Sequence, residues 1–256
     1  MSSPVFTIRN LAISYANKVA LKPSSLNISE YAITACVGPS GSGKTSFLLS
    51  LNRLLELEPK VKVTGDILFN GSSIFAAGVD FRMLRRRIGT IFQKPFPFPV
   101  SIFNNIAIGL KELGITNKTE LRDRIEKALR DCTLWDEVSG HLDDNGLSLS
   151  GGQQQRLCLA RALALEPTVL LMDEPCSSLD PRSTAKIEDL LLQLKSRMSI
   201  ILVTHNLAQA KRVSDQLVVF WNEGHGGELI ESGSSERLWQ QPNCKITKDY
   251  LLGFCG

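Results

Sequence analysis

The sequence predicts an α/β fold: a parallel sheet around a glycine-rich loop, an antiparallel β-subdomain at the N-terminus, and an α-helical subdomain inserted in the core. Three observations predict it. A short apolar run, Ala32-Ile33-Thr34-Ala35-Cys36-Val37, leads into Gly38-Pro39-Ser40-Gly41-Ser42-Gly43-Lys44-Thr45 and then into Ser46-Phe47-Leu48-Leu49-Ser50-Leu51, which reads as strand, glycine loop and helix. Two later apolar runs, residues 169–174 and 199–205, end in Asp173-Glu174 and in His205, as buried parallel strands do at a ligand edge. Between the strand-rich regions, residues 95–163 read as mostly helical.

The 256 residues are 43% hydrophobic, enough for one substantial core. A net charge of +3 argues against a nucleic-acid partner. Cys36, Cys132, Cys158, Cys176, Cys244 and Cys255 form no C-x-x-C pair, so reduced, structural cysteines of a cytosolic chain are expected. The three histidines are far apart, which suggests no metal cluster. The first residues, Met1 to Thr7, lack the charged and apolar regions of a signal peptide. No apolar run approaches the roughly 18 residues that span a bilayer. Any membrane role is therefore expected to come through a partner.

Residues 5–31 read as strands. Phe6, Ile8, Leu11, Ile13 and Tyr15 alternate with polar positions, with a break near Asn10, and Leu26 and Ile28 begin a second alternation. Tyr15, shortly upstream of the loop strand, could stack on an adenine ring or be a plain core or surface aromatic. In the glycine loop, missing side chains let the backbone run close to phosphate oxygens with its amide N–H groups pointing at them. The following helix adds its partial positive charge. Lys44 can reach the β- and γ-phosphates, and the Thr45 hydroxyl can hold Mg²⁺.

Glu58-Pro59-Lys60 marks a break, and residues 65–71 read as a strand ending in the turn Asn70-Gly71. The basic run from Arg82 to Arg87 reads as a solvated face. Residues 88–92 form a further strand, ended by Gln93. In Lys94-Pro95-Phe96-Pro97-Phe98-Pro99-Val100-Ser101, three prolines forbid a helix or a central strand. Extended at the surface, its apolar residues suggest a docking site, unless the two phenylalanines fold back onto the core. Ser101 can cap a helix over residues 102–108. Residues 116–139 read as a helix, with Leu121, Ile125, Ala128, Leu129 and Cys132 on one face and Thr116 or Thr119 as cap.

Leu149-Ser150-Gly151-Gly152-Gln153 opens a run of helix formers that ends before Pro167. A Ser-Gly-Gly turn at a helix start is a second anion site. The first loop already wraps its own nucleotide, so the second turn is expected to serve another. Two chains arranged head to tail would each lend this turn to the other's loop. Asp173 would hold Mg²⁺, directly or through water, and Glu174 would orient or deprotonate an attacking water. Ser178-Leu179-Asp180-Pro181 reads as a helix start capped by Asp180, followed by Ile187, Leu190, Leu191 and Leu194 on one face. His205, at the same sheet edge as the acids, reads as a γ-phosphate contact. Asn206 can cap residues 207–213. Residues 216–221 and 228–231 read as a closing strand pair around the Gly-rich 224–227, and the remainder as a short helical tail.

In their order along the chain, the glycine loop, Gln93, residues 149–153, 169–174 and 178–180, and His205 resemble ATP-binding cassette ATPases over nearly the whole length. A narrower resemblance is carried by Gln93-Lys94-Pro95-Phe96-Pro97-Phe98-Pro99-Val100-Ser101-Ile102, which is similar to the Q-loop region of the ATP-binding subunit of bacterial phosphate importers. Leu134-Trp135-Asp136-Glu137-Val138, residues 150–161, Thr204-His205-Asn206 with Gln209-Ala210, Val213-Ser214-Asp215 and the ending from Asp249 to Gly256 resemble it too. The resemblance implies a single domain over residues 1–256. A P-loop NTPase (RecA-like) core with its β-subdomain would span about 1–93 and 164–235, a helical subdomain about 94–163, and a tail 236–256.

It also implies a homodimer that binds two ATP with Mg²⁺ at its interface, on the cytoplasmic face of the inner membrane. That dimer would drive uptake of inorganic phosphate or, alternatively, of another solute such as amino acids. Tyr15 would stack on adenine, and Gly38, Pro39, Ser40, Gly41, Ser42, Gly43, Lys44, Thr45 and Ser46 would hold the phosphates. Ser150, Gly151 and Gly152 would face the partner's nucleotide, with Gln153 and Asp180 in the same nucleotide-binding set. Thr45, Gln93 and Asp173 would meet Mg²⁺, and Lys44, Gln93, Glu174 and His205 would serve hydrolysis. Residues 94–104 would lie near the groove that receives a cytoplasmic helix from one of two transmembrane permease subunits. An extracytoplasmic phosphate-binding protein would be an indirect partner. Two departures stand out: a longer turn at residues 221–228, and Phe96 where Asn or Thr is common. Neither is expected to touch ATP chemistry.

Overall fold

The computed structural model describes residues 4–254; Met1, Ser2, Ser3, Cys255 and Gly256, which fall in the terminal stretches read above, lie outside the described residues. β1 (Pro4–Tyr15) and β2 (Lys18–Ser29) make the long antiparallel hairpin that the alternation predicts. The break near Asn10 is a bulge: the register slips between Ile8 and Leu11, and Asn10 turns to φ 48°. β3 (Ile33–Val37) is buried along its length, and the glycine loop joins it to α1 (Lys44–Ser50). β4 (Val61–Phe69) returns antiparallel to β1, and the short β5 (Ser72–Ser73) closes that edge. α2 (Phe81–Arg87) leads into β6 (Ile88–Ile91). Four helices then precede the next strand: α3 (Ile102–Glu112), α4 (Lys118–Asp131), α5 (Trp135–Val138) and α6 (Gly151–Leu163). β7 (Val169–Asp173), α7 (Pro181–Leu194), β8 (Ser199–Val203) and α8 (Leu207–Val213) follow. β9 (Gln216–Asn222) and β10 (Gly227–Ser234) pair antiparallel, and α9 (Ser235–Gln240) and α10 (Lys245–Leu251) come last.

Among the described residues ten strands share one sheet, in the order β5-β4-β1-β2-β10-β9-β3-β8-β7-β6. The run β9-β3-β8-β7-β6 is parallel, and β3 lies in its interior. Parallel strands covered on both faces need continuous apolar sequence, which is what β3, β7 and β8 carry. Their side chains still alternate between two cores. Leu170, Met172, Ile200 and Leu202 pack with Ile106, Leu129, Leu159 and Leu191 of the helices. Val169, Leu171, Ile201 and Val203 pack with Phe47 and Leu48 of α1 and with Phe6 and Ile67 of the N-terminal strands. Each such buried leucine or isoleucine contributes about 1.5–3 kcal/mol, so the carboxyl ends of these strands stand on a stiff base. Among the described residues no helix is long and apolar enough to cross a membrane.

The structure departs from the sequence reading at several ends. α4 is capped by Asn117, whose side chain accepts from the N–H groups of Thr119 and Glu120, so neither threonine caps it. The helix expected over 116–139 breaks after Asp131, where Thr133 takes φ 48° before α5. The basic run is itself a helix, capped by Asp80; Arg82, Arg86 and Arg87 are exposed, as a solvated face requires, while Arg85 is half-buried. Arg85 donates to the carbonyls of Asn52 and Arg53, and the Arg87 guanidinium sits 4.8 Å from the Phe69 ring centre. The tail holds two helices.

Candidate active site

Gly38 leaves β3 at φ 146°, where a Cβ would collide with the Phe220 carbonyl oxygen. Gly43, at φ 89°, would bring a Cβ within 2.6 Å of the Ala20 carbonyl oxygen. Only glycine fits either position, so the loop can wrap closely around a phosphate. Ser40 and Gly41 are exposed at its crest, and Ser42 is buried. The Lys44 ammonium is buried and donates to the carbonyls of Gly38 at 2.8 Å and Pro39 at 2.7 Å. Burial holds its pKa below the ordinary lysine value, against the opposing pull of Glu174, Cys36 and Asp173. An anionic phosphate beside it would relieve that penalty. The Tyr15 hydroxyl lies 3.0 Å from Ser46 Oγ, which sets the aromatic ring next to the start of α1.

The acids come from the neighbouring strand. β7 ends in Asp173, whose Oδ1 accepts from Thr45 Oγ1 at 3.0 Å. Burial pushes the Asp173 carboxyl above its usual range, against the Thr45 hydrogen bond. A hydroxyl and a carboxylate this close are hard oxygen donors that suit Mg²⁺, and a cation would offset the desolvation of Asp173. Glu174 adopts φ 45°, a conformation uncommon outside glycine, and its N–H donates to the Val203 carbonyl of β8. Gln93 Nε2 donates to Glu174 Oε2 at 3.0 Å, and His205 Nδ1 lies 3.0 Å from the same oxygen. Lys44, Thr45, Gln93, Asp173, Glu174 and His205 thus converge just beyond the carboxyl ends of β3, β6, β7 and β8.

The Ser-Gly-Gly turn is a capping box: Ser150 Oγ accepts from the Gln153 N–H, and Gln153 Oε1 accepts from the Ser150 N–H. It abuts the Asp180 turn, since a Cβ on Gly152 would come 2.7 Å from Ser183 Oγ. Asp180 caps α7 through the N–H groups of Arg182 and Ser183, and accepts from Ser183 Oγ at 2.6 Å. That last bond leads in holding its carboxyl below the usual range.

Glu137 is a residue that motif reading does not pick out for any role. It accepts two bonds from the buried Arg156 guanidinium at 2.9 and 3.0 Å, one from Lys186 at 3.0 Å and one from Gln153 Nε2 at 3.0 Å. It ties the helix that starts at the Ser-Gly-Gly turn to the helix that starts at Asp180. Its partners lie 16 to 49 residues away, so no local pattern announces it. Arg156, first among these donors, pulls its pKa from 4.5 to about 2. A lowered carboxyl pKa contributes stability that is whole above 4.5 and is lost as the pH falls towards 2. Glu137→Gln is therefore expected to destabilise the chain by about 2 kcal/mol at neutral pH. Urea melts from pH 7 downwards should show that gap closing below 4.5; a gap independent of pH would remove the charge from the account.

The proline-rich segment is extended and held in place. Asn105 accepts from the Phe98 N–H at 2.7 Å and donates to the carbonyls of Phe98, Val100 and Ser101. Arg161 donates to the Phe96 carbonyl and lays its guanidinium 4.3 Å from the Phe98 ring centre. Phe96 remains 71% exposed, so it does not fold back onto the core; Phe98, at 37%, lies partly under Arg161. Both line a groove of about 330 Å³ with Arg85, Ile91, Ile108 and Leu165. The longer turn reaches the back of the phosphate-binding loop: Asn222 Nδ2 donates to the Gly41 carbonyl at 2.9 Å.

A glycine loop on an interior parallel strand, an acid-ended neighbouring strand and a Ser-Gly-Gly turn on a helical insert define a P-loop ATPase of the ATP-binding cassette type. A family model described as ABC transporter matches residues 21–177. The phosphate import ATP-binding protein PstB 1 of Bacillus licheniformis is 50% identical over 98% of this chain and 96% of its own length. Its namesake in Nitrosococcus oceani is 50% identical over 97% of this chain and 90% of its own. Among solved structures, cbiO1 of Clostridium perfringens, part of the ABC transporter complex cbiONQ, superposes with a TM-score of 0.80 at 28% identity, covering 98% of this chain and 96% of that one. A bacterial Atm1-family ABC exporter with ATP bound also gives 0.80 at 27% identity, over 99% of this chain and 42% of that one. The chain belongs to the family of phosphate import ATP-binding proteins, and it is an ATPase.

Proposed function

We propose that this chain is the ATP-hydrolysing subunit of an importer for inorganic phosphate, working as a homodimer on the cytoplasmic face of the inner membrane. The observation that carries the reading is the convergence of Lys44, Thr45, Gln93, Asp173, Glu174 and His205 at one sheet edge; the names of the relatives support the cargo. The glycine loop from Gly38 to Thr45, with Ser46, holds the ATP phosphates, and Tyr15 stacks on the adenine. Thr45 and Asp173 would hold Mg²⁺ with Gln93 beside them, and the ion would supply positive charge against the phosphates. Glu174 takes a proton from the attacking water as the γ-phosphoryl group leaves ADP, Lys44 donates to that group, and His205 contacts it.

The Ser-Gly-Gly turn of each chain serves its partner's ATP, with Gln153 fixing the turn and Asp180 beside it. One domain does all of this: the core at about 1–93 and 164–235, a helical subdomain at about 94–163, and a tail at 236–256. Two permease subunits dock near residues 94–104, in the groove that Phe96 and Phe98 line, and a phosphate-binding protein outside the membrane delivers the cargo. The test is uptake of labelled phosphate at low external concentration, in cells lacking this chain and in cells complemented with it. Phosphate uptake should depend on the chain while amino-acid uptake does not. The reverse pattern would reassign the cargo.

A further inference from the structure

We propose that the C-terminal helix and the end of β9 brace the glycine loop, with Tyr250 and Asn222 as positioning residues for ATP. The proposal rests on the reading that this loop binds ATP. Amides that face the phosphates leave the loop's other polar groups to find partners inside the protein. Gly38 is the first residue past β3, and its N–H donates to Tyr250 Oη at 3.0 Å. Its carbonyl accepts from Lys44 Nζ at 2.8 Å, and its Cα lies against the Phe220 carbonyl oxygen. The residue whose carbonyl holds the lysine is thus itself held, through its N–H, from α10.

Three consecutive residues of β9 complete the arrangement. Phe220 abuts Gly38, Trp221 meets the Tyr250 ring edge-on at 5.9 Å, and Asn222 Nδ2 holds the Gly41 carbonyl at 2.9 Å. Asn222 Oδ1 also accepts from the Gly224 N–H at 2.8 Å, so the turn that follows β9 orients its amide. α10 is anchored in turn. Glu231 of β10, only 8% exposed, accepts from the N–H groups of Asn243 and Cys244 just before the helix. Tyr250 is 6% exposed, so the Gly38 contact lies away from water, where losing an acceptor is costly.

The brace shapes a site that contacts ATP throughout turnover, so its loss should weaken binding more than the chemical step. Tyr250→Phe keeps the ring and deletes the acceptor. It should raise both the KM for ATP and the Kd for a fluorescent ATP analogue by about 3- to 10-fold, the effect of one hydrogen bond, with kcat within about 2-fold. Asn222→Ala should raise KM by a similar factor. Leu251→Ala loosens the same helix without touching Gly38; it should lower the melting temperature by a few degrees and leave KM alone. An unchanged KM in Tyr250→Phe, or an equal rise in Leu251→Ala, would overturn the brace. Wild-type chain that fails to bind ATP would instead remove the reading on which it rests.

Discussion

Glu174→Gln should bind ATP normally and hydrolyse it about 10²- to 10⁴-fold more slowly, the usual weight of a general base. The substitution is nearly isosteric, so the geometry around it has reason to survive. Gln93 Nε2 and His205 Nδ1 both contact Oε2 at 3.0 Å, and the carbonyl oxygen of a glutamine can accept both. What the amide cannot do is accept a proton from water. If closure of the dimer follows from binding and reopening from hydrolysis, the variant should accumulate with ATP as a stable dimer on a sizing column, where the wild type cycles back to monomer. Single-turnover hydrolysis and gel filtration read the two effects separately. Normal turnover would take Glu174 out of the chemistry. Slow turnover without a stable dimer would keep its role and deny that ATP alone closes the interface.

The residues whose chemistry is contiguous along the chain were legible from sequence. Asp173-Glu174 and His205 lie at the end of apolar runs and the glycine loop follows one, and runs this short favour a buried parallel strand over a helix. Their assembly into one site then follows from adjacent strands. Residues that act across long separations left no such trace. Tyr250 meets Gly38 from 212 residues away, and Asn222 meets Gly41 from 181. Neither sits in a periodic pattern that differs from an ordinary helix or strand end. The cap of α4 failed for a local reason: Asn117 and two threonines stand within four positions, and composition alone ranks them closely. The longer turn at 221–228 was visible as a departure in length, but its contact with the loop depends on how β9 lies beside β3.

Lys44→Ala should cost about 10²- to 10³-fold in ATP affinity, as expected when one partner of a buried, hydrogen-bonded charge pair is removed. The argument turns on where the ammonium sits before ATP arrives. It is buried, with two loop carbonyls as partners. Desolvation already lowers its pKa, and Glu174, Cys36 and Asp173 only partly oppose that. Phosphate oxygens would stabilise the charged form and raise the pKa again. ATP binding must then take up protons at alkaline pH, and affinity must fall as the pH rises through the lowered value of the free chain. An ordinary lysine would show that fall only at a higher pH. Calorimetric titration with ATP across the alkaline range, in buffers of different ionisation enthalpy, measures both the affinity and the proton uptake. In Lys44→Ala the affinity should be low and this pH dependence gone. Retention of the same slope in the variant would assign the titration to another group and leave Lys44 as a plain loop fastener. Loss of affinity without any slope in the wild type would mean that the ammonium keeps its proton throughout, and that the carbonyls of Gly38 and Pro39 compensate its burial more fully than the direction of its pKa implies.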